Sequence, residues 1–388
     1  MTSHPDAASR TPSPLLTEVQ RLPTSGARAV EPFLVGGDLY LAVPQLARDI
    51  AGQPPTLTGG DSDTVLLVYR WHQGRFVEFQ QLPVPGGEDA EFFELGDRAF
   101  LATASLRSGS GPYRMTLDSV LYEWLDGRFV EFQRFETHAA KQWTHFRIGD
   151  RHFLALAQGV AHAGDANAAN KPSSIFEWDG SRFELLQEIE SAWGYNWTFM
   201  QVDGEALLAY ADHVAPSRLL RWNGARFEEL QQFEGPSGRA FCFFRAHGQA
   251  WLAFACLHAD SVLLRWEGGR FVEHQTLSGP GGREFEWLPG EGAGREEGGA
   301  LVQVNFILGT REAPQPRLDS VVHAWRGDRF EPVARFPTSG GADVARFEID
   351  GVLYLAVAQA LAPDARFRVD SVIHRVDRAA LRGASSAG

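Results

Sequence analysis

The chain has 388 residues, 44% apolar and 12% aromatic, with a formal charge of −13 at pH 7. That composition excludes a disordered chain. The acidic balance argues against nucleic acid and anionic membrane surfaces, which call for a basic footprint. Two cysteines exclude a disulfide framework for a chain of this size.

Residues 1–14 are rich in Ser, Pro and Ala and carry no apolar run of signal-peptide length, so a disordered tail and a cytoplasmic location are expected. No stretch approaches the roughly 18 apolar residues of a membrane span. LTEVQRL at 16–22 then reads as a lone strand. From about residue 29 the chain repeats a unit of four short alternating segments, the period-two signal of strands. They are called A to D here. The first unit spans about 29–82 and ends on FVEFQQL at 76–82. The second is the clearest: DAEFFELG at 89–96, AFLAT at 99–103, SVLYEW at 119–124 and FVEFQ at 129–133. Gly/Asp turns join A to B (Gly96-Asp97, Gly149-Asp150, Asp203-Gly204, Asp350-Gly351), and similar turns join C to D (Asp126-Gly127, Asp179-Gly180, Asn223-Gly224), which is hairpin chemistry. The last unit runs from about 343 to 377. It closes on DSVIHRV, with Val376 where the other units place Trp, and no D strand follows. Residues 379–388 are expected to form a second disordered tail.

A Trp precedes a Phe by five residues in six units: Trp71/Phe76, Trp124/Phe129, Trp178/Phe183, Trp222/Phe227, Trp266/Phe271 and Trp325/Phe330. The seventh unit is split between the termini, because LTEVQRL matches the missing D strand. An N-terminal strand that completes a C-terminal unit closes a ring. An open solenoid would need caps instead. The fold expected is therefore all-β, a seven-bladed β-propeller of four-stranded blades over residues 15–378, with the N-terminal strand closing the last blade.

The units resemble the epilepsy-associated repeat (EAR, or EPTP) family. The likeness rests on a strand A ending in Gly or Asp-Gly, a YLAVA-like strand (Tyr354-Leu355-Ala356-Val357-Ala358), SVLYEW, and a G-x-F-x-x-x-Q strand, over about 15–377. The resemblance implies a seven-bladed propeller that binds other proteins. Members such as the leucine-rich glioma-inactivated proteins are secreted or cell-surface proteins. The family offers no catalytic motif.

Residues shared by every unit report the scaffold. The Trp/Phe pairs read as packing between blades. Ser119, Ser173, Ser217, Ser261, Ser320 and Ser371 read as turn residues bonding local backbone, and Gln20, Gln80, Gln133, Gln187, Gln231 and Gln275 on strand D as structural. In the first unit Leu66 takes the Ser position and Thr64 lies two residues earlier, which a bulge would accommodate. Cys242 and Cys256 read as buried free thiols. No zinc or calcium spacing is present, so no metal and no cofactor are expected. The glycines at 290–299 read as a flexible A–B loop.

Residues that differ between units report the site. Long B–C connections (about 44–63, 104–117, 158–171, 306–318 and 359–369) fall on one rim of a propeller, the mouth, where ligand-binding loops belong. Two successive A strands, counted as opening blades 2 and 3, carry extra aromatic and polar residues: Lys141, Trp143 and His145, then Trp193, Tyr195, Asn196 and Trp197. At the place of Trp143 and Trp197 other units carry Val30, Ala90, Phe241, Glu284 and Val344. With Glu31, Glu91 and Glu284 these residues are the candidate ligand-binding set, and the reading that the two Trp only fill gaps between blades stays open. A protein or peptide partner is expected for a monomeric propeller. The alternative is an enzyme, or a small-molecule or sugar site, at the channel mouth. Glu31, Glu91, Lys141, His145, Glu284 and Glu286 would then be the acid–base candidates. A deep mouth pocket favours a small ligand or an enzyme, and a flat mouth favours a protein.

Overall fold

The computed structural model describes residues 14–160, 170–290 and 299–386. Among them the strands form seven four-stranded antiparallel sheets and one two-stranded ribbon, Leu308–Gly309 with Pro314–Gln315. Blades 1 to 6 open with strand A at Glu31–Val35, Gly87–Leu95, Gln142–Ile148, Gly194–Val202, Gly238–Ala246 and Gly282–Leu288. Each of these A strands touches the next. That of blade 7, Gly341–Ile349, touches the one of blade 1, so the ring is closed around a channel.

Closure is made by the strand expected to make it. Leu16–Leu22 pairs antiparallel with Ser371–Val376, from Leu16 opposite Val376 to Leu22 opposite Ser371, and is the outer strand of blade 7. Two expectations are corrected. The strands with Lys141 and Trp193–Trp197 open blades 3 and 4, one later than counted. The C-terminal residues are not a bare tail: Arg378–Ser386 is a helix whose Leu381 is buried among Leu288, Val304 and Val376. Most of the expected A–B loop at 290–299 and most of the N-terminal tail lie outside the described residues.

Every Trp/Phe pair has the same separation, with ring centroids 5.0–5.1 Å apart and the rings steeply inclined, at 56–79°. The Phe rings are buried, and the Trp rings reach the preceding blade, as Trp124 does to Tyr40 at 5.2 Å and Trp222 to Phe153 at 5.3 Å. The strand D glutamines are clamps between blades. Gln20, Gln80, Gln133, Gln187, Gln231 and Gln275 each accept the N–H and donate to the C=O of the next blade's strand D Phe, at 2.6–3.0 Å. The repeated serines cap the end of strand B. Ser119 Oγ accepts from the Ser105 N–H and Ser261 Oγ from the Cys256 N–H, both at 3.1 Å. In blade 1 Thr64 stands in with a different bond, donating to the Gln45 carbonyl past the end of strand B at 2.6 Å and accepting from the Gly86 N–H that leads into the next blade at 3.1 Å. Cys242 and Cys256 are free and sit opposite Ala253 and Gly238, not each other.

A buried clamp left unmade costs the desolvation of both backbone groups, about 1–3 kcal/mol each. Gln133→Leu, which orphans the N–H and C=O of Phe183, is expected to cost about 2–4 kcal/mol. Urea unfolding would show a lower midpoint at unchanged slope, and a cost below about 1 kcal/mol would make the clamp decorative.

Candidate functional site

The site begins with a repeated irregularity at the start of strand A. A β-bulge leaves one residue without a partner on strand B: Glu88, Tyr195, Arg239, Arg283 and Ala342 in blades 2, 4, 5, 6 and 7. Arg28 and Lys141 take the same place in blades 1 and 3, donating their N–H groups to Pro44 and Ala157. Bulges re-aim side chains, and here they face the mouth of the channel. The glycine before the bulge is a matter of room: at Gly238 a Cβ would stand 2.4 Å from Ser217 Oγ, and at Gly282 2.3 Å from Ser261 Oγ.

One position in seven blades thus builds a ring of four cations, one carboxylate, one phenol and one methyl group. Glu88 pairs with Lys141 at 3.2 Å and Arg28 at 3.6 Å. Tyr195 lies under Lys141, Arg239 and Arg283, whose charged groups are 5.0, 4.0 and 5.4 Å from its ring centroid. Burial alone would raise the Glu88 carboxyl, but Lys141 and Arg28 hold it below its ordinary value. Burial would likewise raise the Tyr195 hydroxyl, and Arg239 and Lys141 bring it lower instead. The long loops stand above the ring, and the two enclose a cavity of about 520 Å³. Its apolar lining includes Leu46, Leu106, Val160, Trp193, Phe306 and Leu361.

Below the ring the channel is acidic. Asp89, Glu284 and Asp343 share one register with Gln142 and Asn196; Glu31, Glu91 and Glu286 lie two residues further along their strands. Most of these groups do structural work. The inner edge of strand A has unpaired N–H groups that need acceptors. The Asp343 carboxylate accepts from Val30 N–H at 2.8 Å, Glu31 from Phe92 at 3.2 Å, Asp89 from Trp143 at 2.8 Å and Glu91 from His145 at 2.9 Å. The Gln142 carbonyl accepts from Trp197 N–H at 2.6 Å and that of Asn196 from Phe241 at 3.0 Å. Glu284 instead accepts from its neighbour Phe285 at 3.3 Å. Among the described residues no group of three or more Asp, Glu, His or Cys side chains is placed to hold a metal ion.

These carboxyls give the fold a pH dependence. Burial lifts Glu91 to about 8, partly offset by the His145 N–H, and lifts Asp89 and Glu286 to about 7. Each holds its proton better folded than unfolded, so its stabilising effect is complete below the ordinary value and is lost as pH rises toward the folded one. Buried His145 and His213, lowered to about 3 by burial first, act oppositely, but their effect is complete above 6.5. Stability is therefore expected to fall between pH 6.5 and 8. Glu91→Gln keeps an acceptor for His145, so its urea midpoint should slope less over that range, and an unchanged slope would exonerate Glu91.

The sequence-selected residues separate into three groups. Lys141, Trp193 and Tyr195 line the cavity. Glu31, Glu91, Asn196 and Glu284 line the channel below, bonding backbone. Trp143 and Trp197 do not reach the mouth, which corrects the expectation that they present their rings there. Both are 1% exposed, Trp143 donating from Nε1 to the Thr103 carbonyl at 3.0 Å and Trp197 packing on Tyr210 at 4.2 Å. They occupy the register of Val30, Ala90, Phe241 and Val344, in which Phe285, not Glu284, stands for blade 6. His145 is also outside the cavity, stacked on Phe93 at 4.3 Å and bonded to His152 at 3.1 Å. Sequence reasoning missed Arg28, Glu88, Arg239 and Arg283. A signal was available: aligning the seven copies on the residue after the small residue that precedes or opens strand A brings Arg28, Glu88, Lys141, Tyr195, Arg239, Arg283 and Ala342 into one column, four of them basic in an acidic chain.

Among the described residues no helix is long and apolar enough to cross a membrane. In architecture the chain is similar to the solved structure of BBS1N in complex with ARL6DN, at a TM-score of 0.58 and 11% identity over 95% of this chain and 98% of that one, a likeness of fold alone. In sequence it is similar to the mouse thrombospondin-type laminin G domain and EAR repeat-containing protein, 30% identical over 150 residues, 37% of this chain and 21% of that protein. It is 33% identical over 100 residues to mouse leucine-rich repeat LGI family member 3, 25% of this chain and 15% of that protein. The matches thus span about a fifth or less of these relatives' length. The EPTP domain model matches residues 16–72, 75–125, 128–179 and 182–223, a little over half of the chain. With the split seventh unit and the closed ring, this places the chain in the EPTP repeat family.

Proposed function

We propose that this propeller is a non-catalytic binding scaffold that recognises a protein or peptide through its loop-rich mouth, part of the partner entering the central cavity. The observation that carries the reading is the segregation of differences: the blades share their packing residues, clamps and caps, and differ at the mouth ring and in the loops above it. A rigid ring with variable loops on one rim is the arrangement of a recognition module, and kinship with the EAR and LGI proteins supports a protein partner. The depth of the cavity supports a second reading, a free small molecule, because about 520 Å³ lies within the range of ligand pockets.

The test is capture by crosslinking from native extract. Leu308→Asp, on the exposed ribbon at the mouth, is expected to lose the partner at an unchanged melting temperature. Asp97→Ala, in an A–B turn on the opposite rim, should retain it. Equal capture by both variants would remove the mouth from the interaction.

A further inference from the structure

We propose that the mouth cavity is an anion site, built for a carboxylate or phosphate group carried on an apolar body. This rests on the reading of the mouth as the binding face and specifies what that face takes. In a chain of net charge −13, the mouth ring gathers Arg28, Lys141, Arg239 and Arg283 against the single carboxylate of Glu88. Glu88 is engaged by Arg28 and Lys141. Arg239 and Arg283 have no ion pair within 4.0 Å among the described residues. Arg239 is only 6% exposed and its Nε has no hydrogen-bond partner; its guanidinium is held by Tyr195 alone, against the ring and by a hydrogen bond to the hydroxyl, with no carboxylate beside it.

Burying a cation is costly unless it is paired. Arg239 is therefore either a cost to the fold or half of an interaction that a ligand completes. A structural alternative for these cations is neutralisation of the channel carboxylates beneath. Arg283 does part of that work: burial raises the carboxyls of Asp89, Glu284 and Asp343, and its charge lowers them again in part. Arg239 is not among the charges that hold these carboxyls down. Most of the channel carboxylates already accept backbone N–H groups, and Glu286 has its own cation in Arg346 at 2.8 Å. Arg107, also in the lining, shows what a structural arginine looks like here: its guanidinium donates to Ser62 Oγ and to the carbonyls of Thr58 and Gly59, fixing the first long loop. Arg239 has no such set. The aliphatic loop residues above the ring supply the surface for the ligand's apolar body, and a planar guanidinium fork suits the two oxygens of a carboxylate or phosphate.

Isothermal titration with matched probes tests this at low ionic strength. 4-Phenylbutanoate and phenyl phosphate are expected to bind at about 1 mM or tighter. 4-Phenylbutylammonium, of nearly the same shape, should bind at least tenfold more weakly. Arg283→Gln, at a half-exposed position, and Arg239→Gln should each weaken the anions about tenfold or more; if Arg239→Gln fails to fold, Arg283→Gln decides alone. A blocked peptide, acetyl-Leu-Asp-Phe-amide, against its Asn counterpart identifies the source of the anion. Preference for the Asp peptide assigns the site to a partner's acidic side chain, and binding of the free anions alone assigns it to a small metabolite-like acid; both support the site. Equal binding of the ammonium probe, no binding of any anion, or full affinity in Arg283→Gln overturns it. Anion binding with partner capture indifferent to the mouth variants would instead overturn the protein-binding reading and leave the anion site standing.

Discussion

Deleting residues 1–22 is expected to ruin the propeller, whereas deleting residues 1–13 is expected to leave its melting temperature nearly unchanged. The longer deletion removes the whole Leu16–Leu22 strand and leaves Ser371–Val376 as a bare edge, a template for pairing with other chains. It also removes Leu22, 1% exposed in the core, and the Gln20 clamp to both backbone groups of Phe76. That clamp ties blade 7 to blade 1, so its loss opens the ring at the joint where the termini meet. The lost ladder, core side chain and clamp should together cost at least about 5 kcal/mol, or about 10 °C or more of melting temperature, with aggregation on heating. Thermal scans of the two truncations with light scattering check this. Similar behaviour of both would refute ring closure by the N-terminal strand.

Trp197→Ala is expected to destabilise the fold at least as much as Trp266→Ala, about 3–5 kcal/mol in each case. This reverses what the sequence suggests. Trp266 belongs to the six-fold repeated pair, and Trp197 has a counterpart only in Trp143, which reads as a mark of function. The structure places Trp197 1% exposed and Trp266 9% exposed, the latter with Nε1 donating to Asp203 at 2.7 Å. A large ring deleted from a closed core leaves a cavity that its neighbours, Tyr210 among them, can only partly fill. Binding of 4-phenylbutanoate per folded molecule should survive Trp197→Ala, since the ring does not line the cavity. Urea midpoints of the two variants decide the matter: a cost below about 1 kcal/mol for Trp197→Ala would mean that the ring is not core.

Both cases turn on what repetition reveals. Comparing copies within the chain separates shared residues from unshared ones, but two physical reasons make a residue unshared. At Trp143 and Trp197 the reason is volume. The wedge between blades 2 and 3 and between blades 3 and 4 is filled from the inner strand, where other blades use Val30, Ala90 or Val344. At Arg28, Glu88, Lys141, Tyr195, Arg239 and Arg283 the reason is position: these side chains line the mouth cavity, where packing between blades imposes no residue type. Sequence comparison sees both as departures from the repeat and cannot tell a filled gap from a lined one.

The sequence by itself determined the all-β class, seven units of four strands, their turns, the closing N-terminal strand and the scaffold role of the Trp/Phe pairs, serines and glutamines. These are legible because they depend on local period and on residues repeated wherever the same local job recurs. Lys141, Trp193 and Tyr195 were also marked as site residues. Only the tertiary structure decided the rest. A one-residue bulge at the start of strand A shifts every following side chain by one place, turning Arg239 and Arg283 toward the mouth and Phe285 rather than Glu284 into the core. The charge of the site was hidden for the same reason. A net charge of −13 describes the chain, whereas the cavity is set by a few side chains drawn from blades 40 to 60 residues apart, and their nearness exists only after the ring has closed.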